Sequence, residues 1–250
     1  MNKERIRLSI VSYTNTLPFR WALKNSALLN QIEYSEDIPS ICAKKLLYDQ
    51  ADLALVPVVI LRDMKEYFIV SDYCIGAQGK VDSVKLYSRV PLQEIKSIIL
   101  DYQSRTSVQL TKILCKEHWQ IAPNFLDALP GYESDLNEKT AIVVIGDRTF
   151  KLNGTFNYEY DLAEEWKSMT GLPFVFAAWV SNKKLDEKFL QDFNAVLKQG
   201  KENISSAIHS AENKSNLSDS DLSFYLQDRI RYNLTDEYEK AMEIFLNKMI

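Results

Sequence analysis

Short apolar runs that end in a polar turn and give way to helical periodicity recur along this chain. That alternation restricts its fold more than any other feature. The clearest case is Ile98 to Leu114, IILDYQSRTSVQLTKIL. Its apolar run ends at Asp101, and Val108, Leu110, Ile113 and Leu114 then return at helical spacing. The first unit follows the same plan. Ile6, Leu8 and Ile10 alternate with Arg5, Arg7 and Ser9, which predicts a strand with one wet face; SYTNT is a loop, and Leu17-Pro18 opens a helix. Further strands are expected around Glu33 to Glu36, in DLALVPVVIL (ending or turning at Pro57), from Val81 to Leu86, around Pro123 to Phe125, and in AIVVIGDRTF and FVFAAWVS. Helices are expected from Pro39, in DLAEEWKSMTGLP, in a long amphipathic stretch from Leu185 that breaks near Gly200, and in the last two segments, SDLSFYLQDRIRYNL and DEYEKAMEIFLNKMI. The polar segment after Trp119 reads as an exposed helix or loop ending near Lys139. Strands alternating with helices predict an α/β protein with mostly parallel sheets.

The 250 residues are enough for one large domain or two small ones. An apolar content of 46% and a charged content of 26% are those of a soluble globular chain. The net charge of −4 is spread without a basic block, so neither nucleic acid nor a membrane surface is expected as a partner. Cys42, Cys74 and Cys115 are far apart and odd in number, which fits buried thiols in a reducing compartment. The opening residues, MNKERIRLSIVSY, are charged but have no long apolar stretch, and a cytoplasmic location is expected.

No linker separates two successive domains. A two-lobe fold in which the chain crosses over and later returns explains this, with the first crossing near Tyr87 to Pro91 and the return near Phe174 to Val180. In open α/β sheets, ligands sit beyond the carboxyl ends of the strands. Four polar stretches are candidates for that edge: Thr14 to Thr16 with Asn15, the neighbourhood of Ser83, Gln103 to Ser107, and Gly146-Asp147. Ser104, Arg105, Thr106 and Ser107 fall where a helix begins. Unpartnered N–H groups and hydroxyls there suit a carboxylate or a phosphate. The same residues also read as an ordinary helix cap, and Arg105 reads equally as a structural ion pair.

The segments VSYTNTLPF, DLALVPV, GKVDSVKLYSRVP, LDYQSRTSVQL, IGDRTF and DLAEEWKSMTGLPFVFAAW occur in that order. Together they resemble the menaquinone-biosynthesis chorismate dehydratases of the futalosine pathway, nearly end to end. The resemblance implies the two-lobe fold of type II periplasmic binding proteins with a ligand cleft between the lobes. One lobe would comprise residues 1–88 and 178–250 and the other residues 91–175. It also implies the reaction, loss of water from chorismate to give 3-[(1-carboxyvinyl)oxy]benzoate. Asn15 and Ser83 carry over as catalytic residues. Ser104, Arg105, Thr106, Ser107, Gly146 and Asp147 carry over as substrate-binding residues. Thr14 stands where many relatives have an aliphatic residue, and Asp82, so close to Ser83, should point away from a dianionic substrate.

A proton acceptor is harder to place. His118 and His209 fall on helices away from the polar turns. Asp101 and Asp147 end strands, and each reads as a base or as a turn-holding carboxylate. A further reading makes the substrate's own enolpyruvyl carboxylate the acceptor, with the protein fixing geometry. No Ser/His/Asp arrangement, metal-ligand cluster or glycine-rich nucleotide loop is visible, and no cofactor or metal is expected. Alternative functions are 1,4-dihydroxy-6-naphthoate synthase of the same pathway, whose family carries a histidine where this chain has Gly146-Asp147, and a non-catalytic small-anion binder, either a solute receptor or a regulator's effector domain.

Overall fold

The apolar runs become strands because each is buried between layers of helices. The computed structural model of the protein describes residues 5–132, 138–212 and 215–249. Its strands are β1 (Ile6–Val11), β2 (Ile32–Asp37), β3 (Leu53–Pro57), β4 (Phe68–Ala77), β5 (Val84–Ser88), β6 (Ser97–Leu100), β7 (Asn124–Asp127), β8 (Thr140–Ile145), β9 (Tyr158–Asp161), β10 (Phe174–Ser181) and β11 (Arg231–Asn233). Its helices are α1 (Leu17–Lys24), α2 (Pro39–Leu47), α3 (Arg105–Ile113), α4 (Thr149–Leu152), α5 (Leu162–Thr170), α6 (Glu187–Glu202), α7 (Ile204–His209), α8 (Asp219–Phe224) and α9 (Asp236–Lys248). The strand expected around Pro123 to Phe125 is β7, and the exposed helix or loop expected after it, up to Lys139, lies partly outside the described residues.

Two sheets organise these elements. One has the order β11-β4-β10-β3-β1-β2 and the other β7-β6-β8-β5-β9. Both are mixed rather than mostly parallel. β1 pairs in parallel with β2 and β3, and β6 with β7 and β8, but β10 runs antiparallel to β3 and β4, and β5 antiparallel to β8 and β9. The antiparallel strands are the ones next to the crossings. The chain leaves the first sheet after Ala77 and enters the second at Val84, so the first crossing lies at residues 78–83 and not near Tyr87 to Pro91. It returns at residues 171–173, and Phe174 to Val180 already lies in the first sheet between β3 and β4. The alternation of Val84 and Leu86 is the same whichever sheet they join. Pairing with Ile145 and Val143, some 60 residues on, decides it.

Other expectations shift for similar reasons. The wet face of the first strand ends at Arg7, which is partly exposed and lies along Asp52 with Nη2 at 2.7 Å from Oδ1; Ser9 is fully buried and donates to Asp37 Oδ2 at 2.8 Å. Gly200 does not break its helix, which runs on to Glu202. It lets α6 approach α1 so closely that a Cβ there would lie 2.4 Å from the Pro18 carbonyl oxygen. Arg231 to Asn233, expected in a helix, form β11 beside β4; three residues are too few to carry a period. An aromatic cluster locks the return segment. Trp166 of α5, Phe174 of β10 and Phe245 of α9 meet edge to face at 5.0–5.9 Å, and Trp166 Nε1 donates to the Pro173 carbonyl at 2.9 Å.

Candidate active site

The carboxyl ends of β1, β6 and β8 converge on a cleft between the two sheets. Counted with the open solvent at its mouth, it encloses about 530 Å³. Val11, Pro39, Pro57 and Ile75 form apolar walls from the first lobe, and Val84 and Ile145 from the second. Between them the cleft presents Tyr13, Asn15, Ser83, Ser104, Thr106, Ser107 and the backbone of Gly146. Among the described residues, no carboxylate, ammonium, guanidinium or imidazole side chain lines it.

The serine loop is both a helix cap and a cleft wall. Ser104 has extended backbone angles and its hydroxyl accepts from the Ser107 N–H at 3.0 Å, which caps α3. The same hydroxyl donates to Ser107 Oγ at 3.0 Å. Thr106 Oγ1 reaches across to the Phe176 carbonyl oxygen at 3.3 Å. Helix geometry leaves the first-turn N–H groups of Arg105 and Thr106 without intrahelical acceptors at this end of the cleft. The side chain of Arg105 is placed otherwise. As the first helical residue it projects to a different side from Thr106 and Ser107, pairs with Asp63 Oδ2 at 3.0 Å, and is about half exposed. It is a surface ion pair between the lobes and not a cleft cation.

Asn15 lines the cleft from the loop after β1, and Ser83 from the end of the first crossing. Asn15 Oδ1 is buried and has no hydrogen-bond partner, while its backbone carbonyl is held by Tyr232 Oη at 3.0 Å. A buried acceptor without a donor costs about 1–3 kcal/mol, and a ligand donor would recover it. Ser83 is buried and its hydroxyl accepts from Tyr225 Oη at 2.8 Å. Its backbone carbonyl accepts from the Gly146 N–H at 2.8 Å, which ties the crossing to the end of β8. Asp82, on the other side of Ser83, faces Arg229 and Lys80 and is absent from the cleft wall.

Gly146 sits at φ +66°, and a Cβ there would lie 2.8 Å from the Tyr13 ring. Tyr13 therefore packs flat against backbone that only glycine supplies without strain. Gly146→Ala is expected to lower turnover at least about 10-fold by pushing Tyr13 into the cleft, and to destabilise the fold by about 1–2 kcal/mol. A steady-state assay beside a thermal melt checks both; an alanine variant as active as the parent would show that Tyr13 has room to move.

Asp147, next in sequence, is not part of the cleft wall. Its carboxylate accepts from the Thr14 N–H at 3.1 and 3.3 Å, bridging the lobes at the cleft's edge. Tyr13 Oη bonds Gln103 Oε1 across the same gap. With Thr106 on Phe176, these contacts hold the lobes closed over the cleft.

The candidate bases are occupied elsewhere. Asp101 is buried behind the wall, where it accepts from the N–H groups of Gln103 and Ile145 at 2.9 Å and pairs with Arg148. Burial pushes its carboxyl above the usual carboxylate range against the pull of these partners. His118 Nε2 lies 3.1 Å from Glu165, and His209 Nδ1 lies 3.1 Å from the Ser205 carbonyl, both away from the cleft. Burial also pushes the Tyr13 phenol well above its ordinary range, so it stays protonated near neutral pH. The arrangement can bind an anion through neutral donors, hold an apolar ring and exclude water. It offers no ready acid or base. Sequence reasoning passed over Tyr13, although it lies in the same loop as Asn15, and over Tyr225, which has no local signal.

Known proteins share this architecture. A family model described as menaquinone biosynthesis matches residues 6–249. A chorismate dehydratase of Campylobacter jejuni is 26% identical over 246 residues, covering 94% of each chain. One of Thermus thermophilus is 25% identical over 200 residues, covering 71% of this chain and 70% of that protein. Among solved structures, a protein of Archaeoglobus fulgidus superposes with a TM-score of 0.76 at 13% identity, over 99% of this chain and 97% of that one. The alkanesulfonate-binding protein SsuA of Xanthomonas axonopodis superposes with a TM-score of 0.64 at 13% identity, over 98% and 91%. The fold is that of the periplasmic binding proteins, two lobes around a ligand cleft.

Proposed function

The chain belongs to the menaquinone biosynthesis family, and on that premise we propose that it is a chorismate dehydratase, a hydro-lyase that forms 3-[(1-carboxyvinyl)oxy]benzoate in the futalosine route. The observation that supports this reading beyond family membership is a cleft of neutral donors and acceptors with no ionisable side chain, among the described residues, except Tyr13. Such a site suits a substrate that brings its own base and gains aromaticity by losing water.

The Ser107 hydroxyl, with the first N–H groups of α3, binds one carboxylate of the substrate, while Ser104 and Thr106 spend their protons on Ser107 Oγ and the Phe176 carbonyl and shape the wall around it. The apolar walls hold the ring. The enolpyruvyl carboxylate takes the proton from the ring carbon that bears the ether. The electrons of that C–H bond become the new ring double bond, and the neighbouring C–O bond breaks. The departing hydroxide leaves as water by taking the proton that the enolpyruvyl carboxylate has just received, which returns that carboxylate to its ionised form. Asn15 Oδ1 accepts from the ring hydroxyl in the ground state, and the Ser83 hydroxyl donates to the same oxygen as negative charge builds on it. Ordering the two partners of an intramolecular elimination supplies much of the acceleration.

We place this reaction in the cytoplasm. No helix among the described residues is long and apolar enough to cross a membrane. The test is to incubate the purified protein with chorismate and follow the aromatic enolpyruvyl ether by chromatography. Formation of that product is expected, with kcat nearly constant between about pH 7 and pH 9, because no cleft group titrates there. Tight chorismate binding without product would make the protein a receptor or regulator. A rate that falls with a pKa inside that window would reveal a protein base.

A further inference from the structure

Resting on the dehydratase reading, we propose that Tyr225 is a positioning residue: it fixes the direction in which Ser83 donates its proton. Ser83 lies on the crossing segment just before β5, a place where a side chain would ordinarily be loosely held. Here the segment is tied from two sides. Asp161 Oδ2 accepts from the N–H groups of Val81 and Asp82 at 2.9 and 2.6 Å. From the C-terminal part of the chain, the π-helical turn Tyr225–Arg229 supplies two side chains. Arg229 Nε pairs with Asp82 Oδ2 at 2.5 Å, and Tyr225 Oη donates to Ser83 Oγ at 2.8 Å. Asp82 adopts φ +64°, a left-handed conformation that a non-glycine residue keeps only where its surroundings enforce it.

The consequence is directional. A serine hydroxyl has one proton to donate. With Tyr225 donating to its oxygen, the Ser83 proton has to point elsewhere, and the remaining open side of Ser83 is the cleft. Tyr225 cannot easily reverse this role. It is 4% exposed, its ring packs edge to face on Phe150 at 5.0 Å, and were Ser83 the donor, the buried phenol proton would find no other acceptor among the described residues. It therefore acts as a fixed donor that orients Ser83 and increases the pull of its proton on the departing oxygen. Insertions of this π type often sit at functional sites, and this one begins at Tyr225.

A double-mutant cycle on chorismate turnover tests the proposal. Tyr225→Phe keeps the ring and removes the donor. It is expected to lower kcat about 10-fold with KM within about 3-fold of the parent, and to have no further effect when Ser83 is already alanine. Arg229→Met, at the partly exposed end of the turn, should lower kcat severalfold and likewise lose its effect in the Ser83→Ala background; it keeps the test decisive if Tyr225→Phe folds poorly. Loss of melting temperature with unchanged kcat per folded molecule, or a Tyr225→Phe effect of the same size with and without Ser83, overturns the positioning role. In either case parental turnover of chorismate leaves the dehydratase reading standing. A parental protein that leaves chorismate intact overturns both.

Discussion

Ser83→Ala is expected to lower kcat for chorismate dehydration about 10²–10³-fold, the usual cost of removing one preorganised donor from a developing oxyanion. The size follows from the rest of the cleft. Among the described residues its walls carry no cation and no ionisable group but the Tyr13 phenol, so the departing oxygen has few sources of stabilisation, and the Ser83 proton is held in place by a buried donor behind it. The substitution also leaves Tyr225 Oη buried without its acceptor, which costs about 1–3 kcal/mol of stability. Activity and melting temperature should therefore be read together, with turnover referred to folded protein. KM should change much less than kcat, because Ser83 acts on charge that builds up in the transition state. An alanine variant within about 3-fold of the parent would remove Ser83 from the chemistry.

Asp101→Asn is expected to do the opposite, damaging the fold far more than the chemistry. Asp101 gathers the end of β6, the end of β8 and Arg148 around one buried carboxylate. Since burial pushes its carboxyl up, the pair with Arg148 is no large net source of stability, but an amide has one oxygen where the carboxylate has two, so the buried N–H groups of Gln103 and Ile145 cannot both keep their acceptor. One N–H left buried without an acceptor, with weaker bonds from the rest, sets a loss of about 3 kcal/mol. That corresponds to a melting temperature lower by roughly 6–12 °C in a chain of this size. Turnover of the folded fraction should fall at most about 10-fold, through small shifts of Ser104 and Gly146 on either side. A variant that melts like the parent yet loses several orders of magnitude in kcat would make Asp101 the base. Asp147→Asn, which weakens one bridge to the Thr14 N–H at the cleft's edge, serves as the control.

The sequence and the structure agree most closely where information is local. The strand, turn and helix at Ile98 to Leu114 are all present, and Ser104 caps α3 as its residue type predicts. The cap does not exclude the proposed anion cradle, because a capping hydroxyl can also line a cleft. Arg105 could not be placed from sequence. Whether a residue at the first helical position faces the cleft or Asp63 depends on which side of the helix meets the other lobe. Asp101, Asp147 and Asp82 raised the same problem, and each is spent on a partner far away in sequence: Arg148, Thr14 and Arg229.

By itself the sequence determined an α/β chain of short buried strands whose polar ends carry Asn15, Ser83, the serine loop and Gly146. Apolar periodicity and turn chemistry act over a few residues and are written directly in the order of side chains. Only the tertiary structure decided that β5 belongs to the second sheet, that Arg105 leaves the cleft, and that Tyr13 lies on Gly146 while Tyr225 stands behind Ser83. Those facts follow from pairings between residues 42 to 142 positions apart, with no local pattern to record them.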